Sequence, residues 1–450
     1  MKMYYNKYQT RRHAGRLGRT AGSLGFGLSR ELWLVEAGIF LNMLGYGAVL
    51  PFEVIYLHDG RGFSLGVAGL VVGTITGVAV VTAPAAGPLI DRYGARVTSF
   101  GAGAALAAGY AGLAFARSPA QAFAAAALAG AGNGALNPSQ STLLATLAPA
   151  RLRHRATAVS RVAGNAGIGI GGALGGLVAA YGLPGFELLF LANAVSYLIY
   201  AGVLAAVVAE GARPEPVAGG YRQVLCDTAF VHLAATNVAM IAVGWGVFTW
   251  LLPPYARNET GIGTSLIGLL LLANATTVVI AQVPVARLAE GRRRVVLITL
   301  AAVLFAAACL LVAAAPRGTG RAYPELIAAS VAVGVGECLH TTALMPLVAD
   351  LAPAGLRGRY MASMGFSWWI GLAIAPTLGM QLLSAAPTAT FIAAAGVAAL
   401  AAASALALES RLPSAVRLTP RPGGPAPPRK PSQSEPAQAE APTLRSEGHE

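Results

Sequence analysis

Gly87-Pro88-Leu89-Ile90-Asp91-Arg92-Tyr93-Gly94-Ala95-Arg96 lies between two apolar runs, near 65–86 and 97–116. Gly87 permits a tight exit from one helix and Gly94 the reversal into the next. Asp91 suits a neighbouring helix N-terminus, while Arg92 and Arg96 can pair with acids or lipid phosphates. A charged reversal this short implies two antiparallel helices. Each run is close to the roughly 20 residues needed to cross a hydrocarbon core of about 30 Å.

Moving outward from that turn, such runs recur along the chain. They lie near 32–57, 65–86, 97–116, 121–147, 157–180, 186–209, 228–254, 264–286, 295–315, 325–349, 360–383 and 387–408, which makes twelve spans. Composition demands the same reading, because charged residues are 11% of the 450 and AVILMFWYC 55%. An ordinary globular chain has about 25% charged residues, so this one cannot cover a soluble surface. A soluble enzyme, a disordered scaffold and a secreted disulfide framework are excluded. The expected fold class is all-α: a polytopic membrane protein embedded in a lipid bilayer.

The net charge of +13 sits in short clusters between apolar runs, without the aromatic-basic stretches that read bases or phosphates. No nucleic-acid partner is expected. Cys226, Cys309 and Cys338 show no CxxC spacing and read as small hydrophobes, so neither a metal site, a disulfide nor a cofactor is expected. The apolar run after the basic N-terminal arm is too long for a cleaved signal and reads as a retained first span. With the N-terminus inside, only Arg61, Arg117, Arg257, Arg317 and Arg321 of the 32 basic residues fall in outside loops. The positive-inside bias then places both termini in the cytoplasm. The implied organisation is a basic arm (1–30), a six-span bundle (31–209), a central cytoplasmic loop (210–227), a second six-span bundle (228–408) and a disordered tail (409–450).

The halves are copies. At an offset of 204, Leu147-Ala148-Pro149-Ala150-Arg151-Leu152-Arg153-His154-Arg155 meets Leu351-Ala352-Pro353-Ala354-Gly355-Leu356-Arg357-Gly358-Arg359, identical at seven of nine positions. The same offset aligns Gly167, Ile170, Leu174 and Gly175 with Gly371, Ile374, Leu378 and Gly379. At 199, Gly45-Tyr46-Gly47 meets Gly244-Trp245-Gly246, and Leu89 and Asp91 meet Leu288 and Glu290. Parallel six-span repeats are an architecture for alternating access, with a site near the midplane between near-rigid halves.

The turn at 87–96 resembles the signature of the major facilitator superfamily, G-x-L-x-D-R-x-G-x-[RK], in its expected place between spans two and three. In topology and duplication the resemblance covers roughly 30–408. It implies two pseudo-symmetric six-helix bundles and a cytoplasmic gate at Gly87, Asp91, Arg92, Gly94 and Arg96, with a degenerate second copy at Glu290 and Arg292 to Arg294. Span five, with Gly167, Gly171, Gly172, Gly175 and Gly176, is similar to the superfamily's G-x-x-x-G-P-x-x-G-G stretch, although Gly172 replaces the proline, which appears at Pro376 of span eleven. Small residues at such spacing let helices approach closely, so packing is their expected role. Ala126 stands where drug–proton antiporters of the superfamily often carry an arginine.

Ionisable groups inside a membrane tend to face a cavity and do work. Glu337 and His340, three apart in span ten, share a helix face, where an acid and an imidazole can hold and hand on a proton. The alternative is a Glu held protonated by helix–helix hydrogen bonds. Asn133 is the register equivalent in span four. Asn42, Tyr46 and Glu53 share one stripe of span one, and Tyr46 is matched by Trp245 of span seven, an arrangement suited to an apolar or aromatic substrate. For Glu53 a salt bridge at the outer rim is an equal alternative. Arg161 and Asn165, four apart in span five, are expected at the gate, and Glu36 and His232 at the membrane interface.

The function these features favour is a monomeric secondary transporter in a bacterial plasma membrane, exporting a small amphipathic molecule in exchange for protons. Uptake or facilitated diffusion of a metabolite is the runner-up. A polytopic membrane enzyme using His340 would need a nucleophile or metal set, and H-E-x-x-H is absent. Neither a channel's ring of charge nor a P-loop is present, which excludes direct ATP drive within this chain.

Overall fold

The computed structural model describes residues 28–147, 153–207, 221–318, 321–353 and 356–419. Within them the chain is helices and turns; one isolated bridge joins Arg293 to Leu418, and the described residues form no strand. Twelve long helices follow in order. The first half holds α1 (Arg30–Gly60), α2 (Leu65–Tyr93), α3 (Ala95–Phe115), α4 (Pro119–Leu147), α5 (Arg153–Ala179) and α6 (Leu183–Val207). The second holds α7 (Thr228–Asn258), α8 (Thr264–Ala289), α9 (Arg294–Ala314), α10 (Tyr323–Leu351), α11 (Arg357–Ala385) and α12 (Pro387–Leu408).

Among the described residues, eleven helices are long and apolar enough to cross a membrane. The other long helix, α4, has 29 residues, ample for a crossing, but its alanines and glycines are interrupted by Asn133, Asn137 and Gln140. It packs on α2 and α3, so its place in the bundle, rather than its hydropathy, marks it as a span.

The helix pairs repeat with a shift of six. In the first half α1 packs on α5 and α6, α2 on α4, and α3 on α4 and α6; in the second α7 packs on α11 and α12, α8 on α10, and α9 on α10 and α12. The halves meet through α5 against α8 and α2 against α11, pairs related by the same shift.

Several local expectations need correction. The signature turn is not a loop: α2 runs on to Tyr93, so Gly87, Asp91 and Arg92 are helical, and only Gly94, at φ 84°, makes the reversal. A side chain at Gly87 would meet open space, so close packing does not require that glycine. The tail is ordered as far as Thr419. It turns back after α12, buries Leu412 and Val416, and pairs with the α8–α9 turn through Arg294 N to Arg417 O (2.8 Å) and Thr419 N to Arg292 O (3.0 Å). Two apolar anchors and backbone pairing outweigh its polar composition; 420–450 lie outside the described residues. The central loop carries a short helix, Tyr221–Cys226, and Asp227 caps α7 and accepts a 2.8 Å bond from Tyr360. Glu36 and His232, expected at the interface, each bond a neighbouring helix: Ser160 of α5 donates to Glu36 at 2.7 Å, and His232 bonds Ser404 of α12 at 2.8 Å.

Candidate functional site

Three helices depart from α geometry, each beside prolines that cannot donate a backbone hydrogen bond. Pro51 opens a 3₁₀ turn in α1 (Leu50–Phe52), Pro253 and Pro254 follow an i→i+5 stretch in α7 (Ala242–Leu251), and Pro376 lies within another in α11 (Ala375–Gly379). In a regular helix Trp245 and Trp250 would point roughly 140° apart. The wider i→i+5 winding brings residues five apart to nearly one face. Both tryptophans line the same cavity.

That cavity, of about 300 Å³, lies between the halves. The predicted Asn42, Tyr46, Glu53, Asn133 and Trp245 all line it. Sequence reasoning missed Tyr110 and Tyr197 from the first half, and Trp250, Trp368 and Trp369 from the second. Glu53 makes no rim salt bridge among the described residues. It is buried, and its two oxygens accept 3.1 Å bonds from Tyr110 Oη of α3 and Trp250 Nε1 of α7, so one carboxyl ties the halves together. Asn42 donates to Ser196 of α6 at 3.4 Å.

Glu337 and His340 are near each other but committed to different helices. Asn274 of α8 donates to Glu337 at 3.2 Å; His340 Nε2 faces Asn237 Oδ1 of α7 at 3.0 Å. Because the Asn237 amide donates to Ser367 at 2.8 Å, the imidazole is the donor in its own bond. Neither residue lines the cavity, although His340 packs edge-on against its Trp245 wall with ring centroids 5.4 Å apart. No direct relay between the two is assembled here. Arg161 is exposed within electrostatic range of Glu337, across the divide between halves, while among the described residues the Asn165 side chain bonds only the Arg161 carbonyl, at 2.9 Å.

One end of the cavity is sealed. Beyond Glu53, Arg257 of α7 meets Asp59 of α1 at 3.4 Å, and Gln381 of α11 donates to the Gly66 carbonyl of α2 at 3.0 Å. A Cβ at Gly69 or Gly73 would collide with Met380 or Thr377 of α11, and one at Gly172 or Gly176 would press on Leu271 or Thr264 of α8. These contacts stop partway: a Cβ at Gly77 meets nothing within 4 Å, and one at Gly164 only Met43 of its own half. The halves are zipped at the Asp59–Arg257 end and part toward the end that carries the Gly94 turn.

Two glycine stripes divide the work of α5. Gly167, Gly171 and Gly175 face the backbone of α1 within the first half; Gly169, Gly172 and Gly176 face α8 across the divide. Pro376 presents its carbonyl to Gly69 in the other cross-half contact. At the gate motif, Arg92 stacks 5.2 Å from the Tyr93 ring, and Arg96 and Glu290 are exposed; the Asp91 side chain lies outside the described set. Arg294, read from sequence as a positive-inside charge and part of the degenerate second copy of the turn, is buried against Asp350 at 2.6 Å. No cluster of metal-binding side chains occurs among the described residues.

A sequence profile of the Major Facilitator Superfamily matches residues 36–225 and 234–444. The chain is 29% identical over 370 residues to the uncharacterized MFS-type transporter YttB of Bacillus subtilis strain 168, covering 79% of this chain and 89% of that protein. It is 27% identical over 356 residues to the multidrug resistance protein MdtH of Aeromonas hydrophila, covering 77% and 85%. A crystal structure of a POT family transporter in complex with 5-aminolevulinic acid superposes with a TM-score of 0.71 at 13% identity, over 86% of this chain and 97% of that one.

Proposed function

The chain belongs to the Major Facilitator Superfamily and carries small molecules across a membrane, and on that premise we propose that it is a proton-coupled exporter of amphipathic compounds. The observation that carries this reading is the cavity between the halves, shut at one end by contacts that cross the divide and end at its own depth. Alternating access requires such a cavity, open to one side at a time. The basic clusters support a reading in which the open end and both termini face the cytoplasm, the membrane being a bacterial plasma membrane. Export, rather than uptake, draws support from the likeness to MdtH.

In this reading the chain works as a monomer and catalyses no covalent chemistry. Substrate enters from the cytoplasm between Asn42, Tyr46, Glu53, Asn133 and Trp245. Glu337, with His340 behind the Trp245 wall, carries the proton. The Gly94 turn with Gly87, Asp91, Arg92 and Arg96, its copy at Glu290, and Arg161 and Asn165 close the cytoplasmic side. Gly167, Gly171, Gly175 and Pro376 hold the helices close enough to move as units.

The test is pH-gradient-driven transport in proteoliposomes over a panel of amphipathic compounds, wild type against Glu337→Gln. Wild type is expected to move at least one compound while dissipating the gradient, and the variant to lose that coupling. Full coupling in the variant would pass the proton role to Glu53; a wild type indifferent to the gradient on every compound would end the proton-coupled reading.

A further inference from the structure

Resting on that transport reading, the cavity's chemistry narrows what it accepts. Its described lining has one ionisable acid, Glu53, and no lysine, arginine or histidine. Tyrosines supply the aromatic wall of the first half and tryptophans that of the second. Asn42, Asn133, Asn137 and Gln140 add neutral polar atoms. A carboxylate taken out of water is costly unless an opposite charge or several donors compensate it. Glu53 has two neutral donors, Tyr110 and Trp250, and makes no ion pair among the described residues.

An organic cation in the cavity would supply the missing counter-charge and meet the negative faces of the rings. An anion would meet repulsion and no partner. A volume of about 300 Å³ is at the small end for ligand sites and suits a flat molecule of a few fused rings.

The position of Glu53 adds a mechanical consequence. The bond from Trp250 is a link between the halves, next to the seal at Asp59 and Arg257. A cation drawn to the carboxylate competes with the indole N–H for it. We propose that the cavity takes flat aromatic monocations with Glu53 as their counter-charge, and that the same carboxylate reports occupancy to the outer seal through Trp250. Substrate charge then loosens the seal that has to open for release.

The experiment uses the purified full-length chain in detergent and three probes of one shape: N-methylacridinium, neutral acridine above pH 7, and acridine-9-carboxylate. Binding is read by equilibrium dialysis. The cation is expected to bind at least about tenfold more tightly than acridine, a difference of about 1.4 kcal/mol, and the carboxylate not at all. Glu53→Gln should lose the preference for the cation yet still bind acridine, which shows that the variant is folded. Spin labels at Tyr181→Cys and Asn258→Cys, in a chain without its three cysteines, should separate when the cation binds. With the cation at a concentration that saturates each protein, the labels in Trp250→Phe should no longer respond. Equal binding of cation and acridine, binding of the carboxylate, or no binding of the cation to wild type overturns the proposal. Labels that still respond in Trp250→Phe overturn its second part. Proton-driven transport of an uncharged compound would leave the exporter reading standing after such a result; cation binding without gradient-driven transport would do the reverse.

Discussion

Arg294 places a full positive charge at the start of a helix, where the dipole opposes it, and buries it. Its compensation is Asp350 at 2.6 Å, and its Nε and second terminal nitrogen have no partner among the described residues. Removing Asp350 leaves an uncompensated buried charge, a loss of about 3 kcal/mol. Removing Arg294 leaves a carboxylate that is 37% exposed and can turn to water, so Arg294→Met should cost far less. Thermal unfolding in detergent is expected to rank Asp350→Asn well below Arg294→Met, with the double variant near the latter; equal losses from the two single variants would refute the account. The same asymmetry explains what was legible at this scale. Asn42, Tyr46 and Glu53 share a stripe at α-helical spacing, and all three line the cavity although a 3₁₀ turn falls between the last two. Trp250 was invisible because a helix wound i→i+5 moves it to a face that 100° per residue does not predict. The signal available was the Pro253-Pro254 pair just beyond it. Arg294 was equally hidden, since a basic cluster at a membrane face reads as solvated until the chain that covers it is seen.

Helices and turns were read from two signals, hydropathy and glycine. Hydropathy found all twelve long helices to within a few residues except at the end of α2, which runs on to Tyr93, and α4 owes its place to its neighbours on α2 and α3. Glycine was read as a breaker at both Gly87 and Gly94, but only Gly94 has the positive φ that needs it. The two copies of this turn also differ in their cover. Both leave apolar side chains exposed, Leu89 and Val97 in the first and Leu288 and Val296 in the second, but among the described residues the second is strapped by residues 412–419, whose Arg417 carbonyl caps the start of α9 and whose Thr419 pairs with Arg292. The strap is therefore expected to protect the Arg292-Arg293-Arg294 run. A chain ending at Thr419 should resist trypsin there as the full chain does, while one ending at Arg411 should be cut in that turn much faster. Equal protection in the two truncations would mean that the strap holds nothing.

At the scale of the molecule the duplication was the most legible feature, because a repeat of loop arginines and span glycines at fixed offsets survives the ambiguity of alanine-rich helices. It anticipates the shift of six that relates every major helix pair, including the two that cross the divide. A single sequence gives no hint of which state such a molecule adopts, since both states use the same pairs. In the structure, α5 meets α8 and α2 meets α11 only toward the Asp59–Arg257 end. If the halves rock as units, releasing that end must bring the ends of α5 and α10 on the Gly94 side together. The groups that would then meet are Arg161, exposed and in no ion pair among the described residues, and Glu337, whose carboxyl accepts one hydrogen bond among them, from Asn274. Their attraction offsets part of what the broken seal loses, and a proton on Glu337 would remove it. In a chain without native cysteines, Asp59→Cys with Arg257→Cys and Arg161→Cys with Glu337→Cys should each form a disulfide under mild oxidation, but not in the same molecule. Closing either bridge should stop transport, and reductant should restore it. A chain that carries both bridges at once would contradict rigid rocking of two halves, because those contacts belong to opposite states.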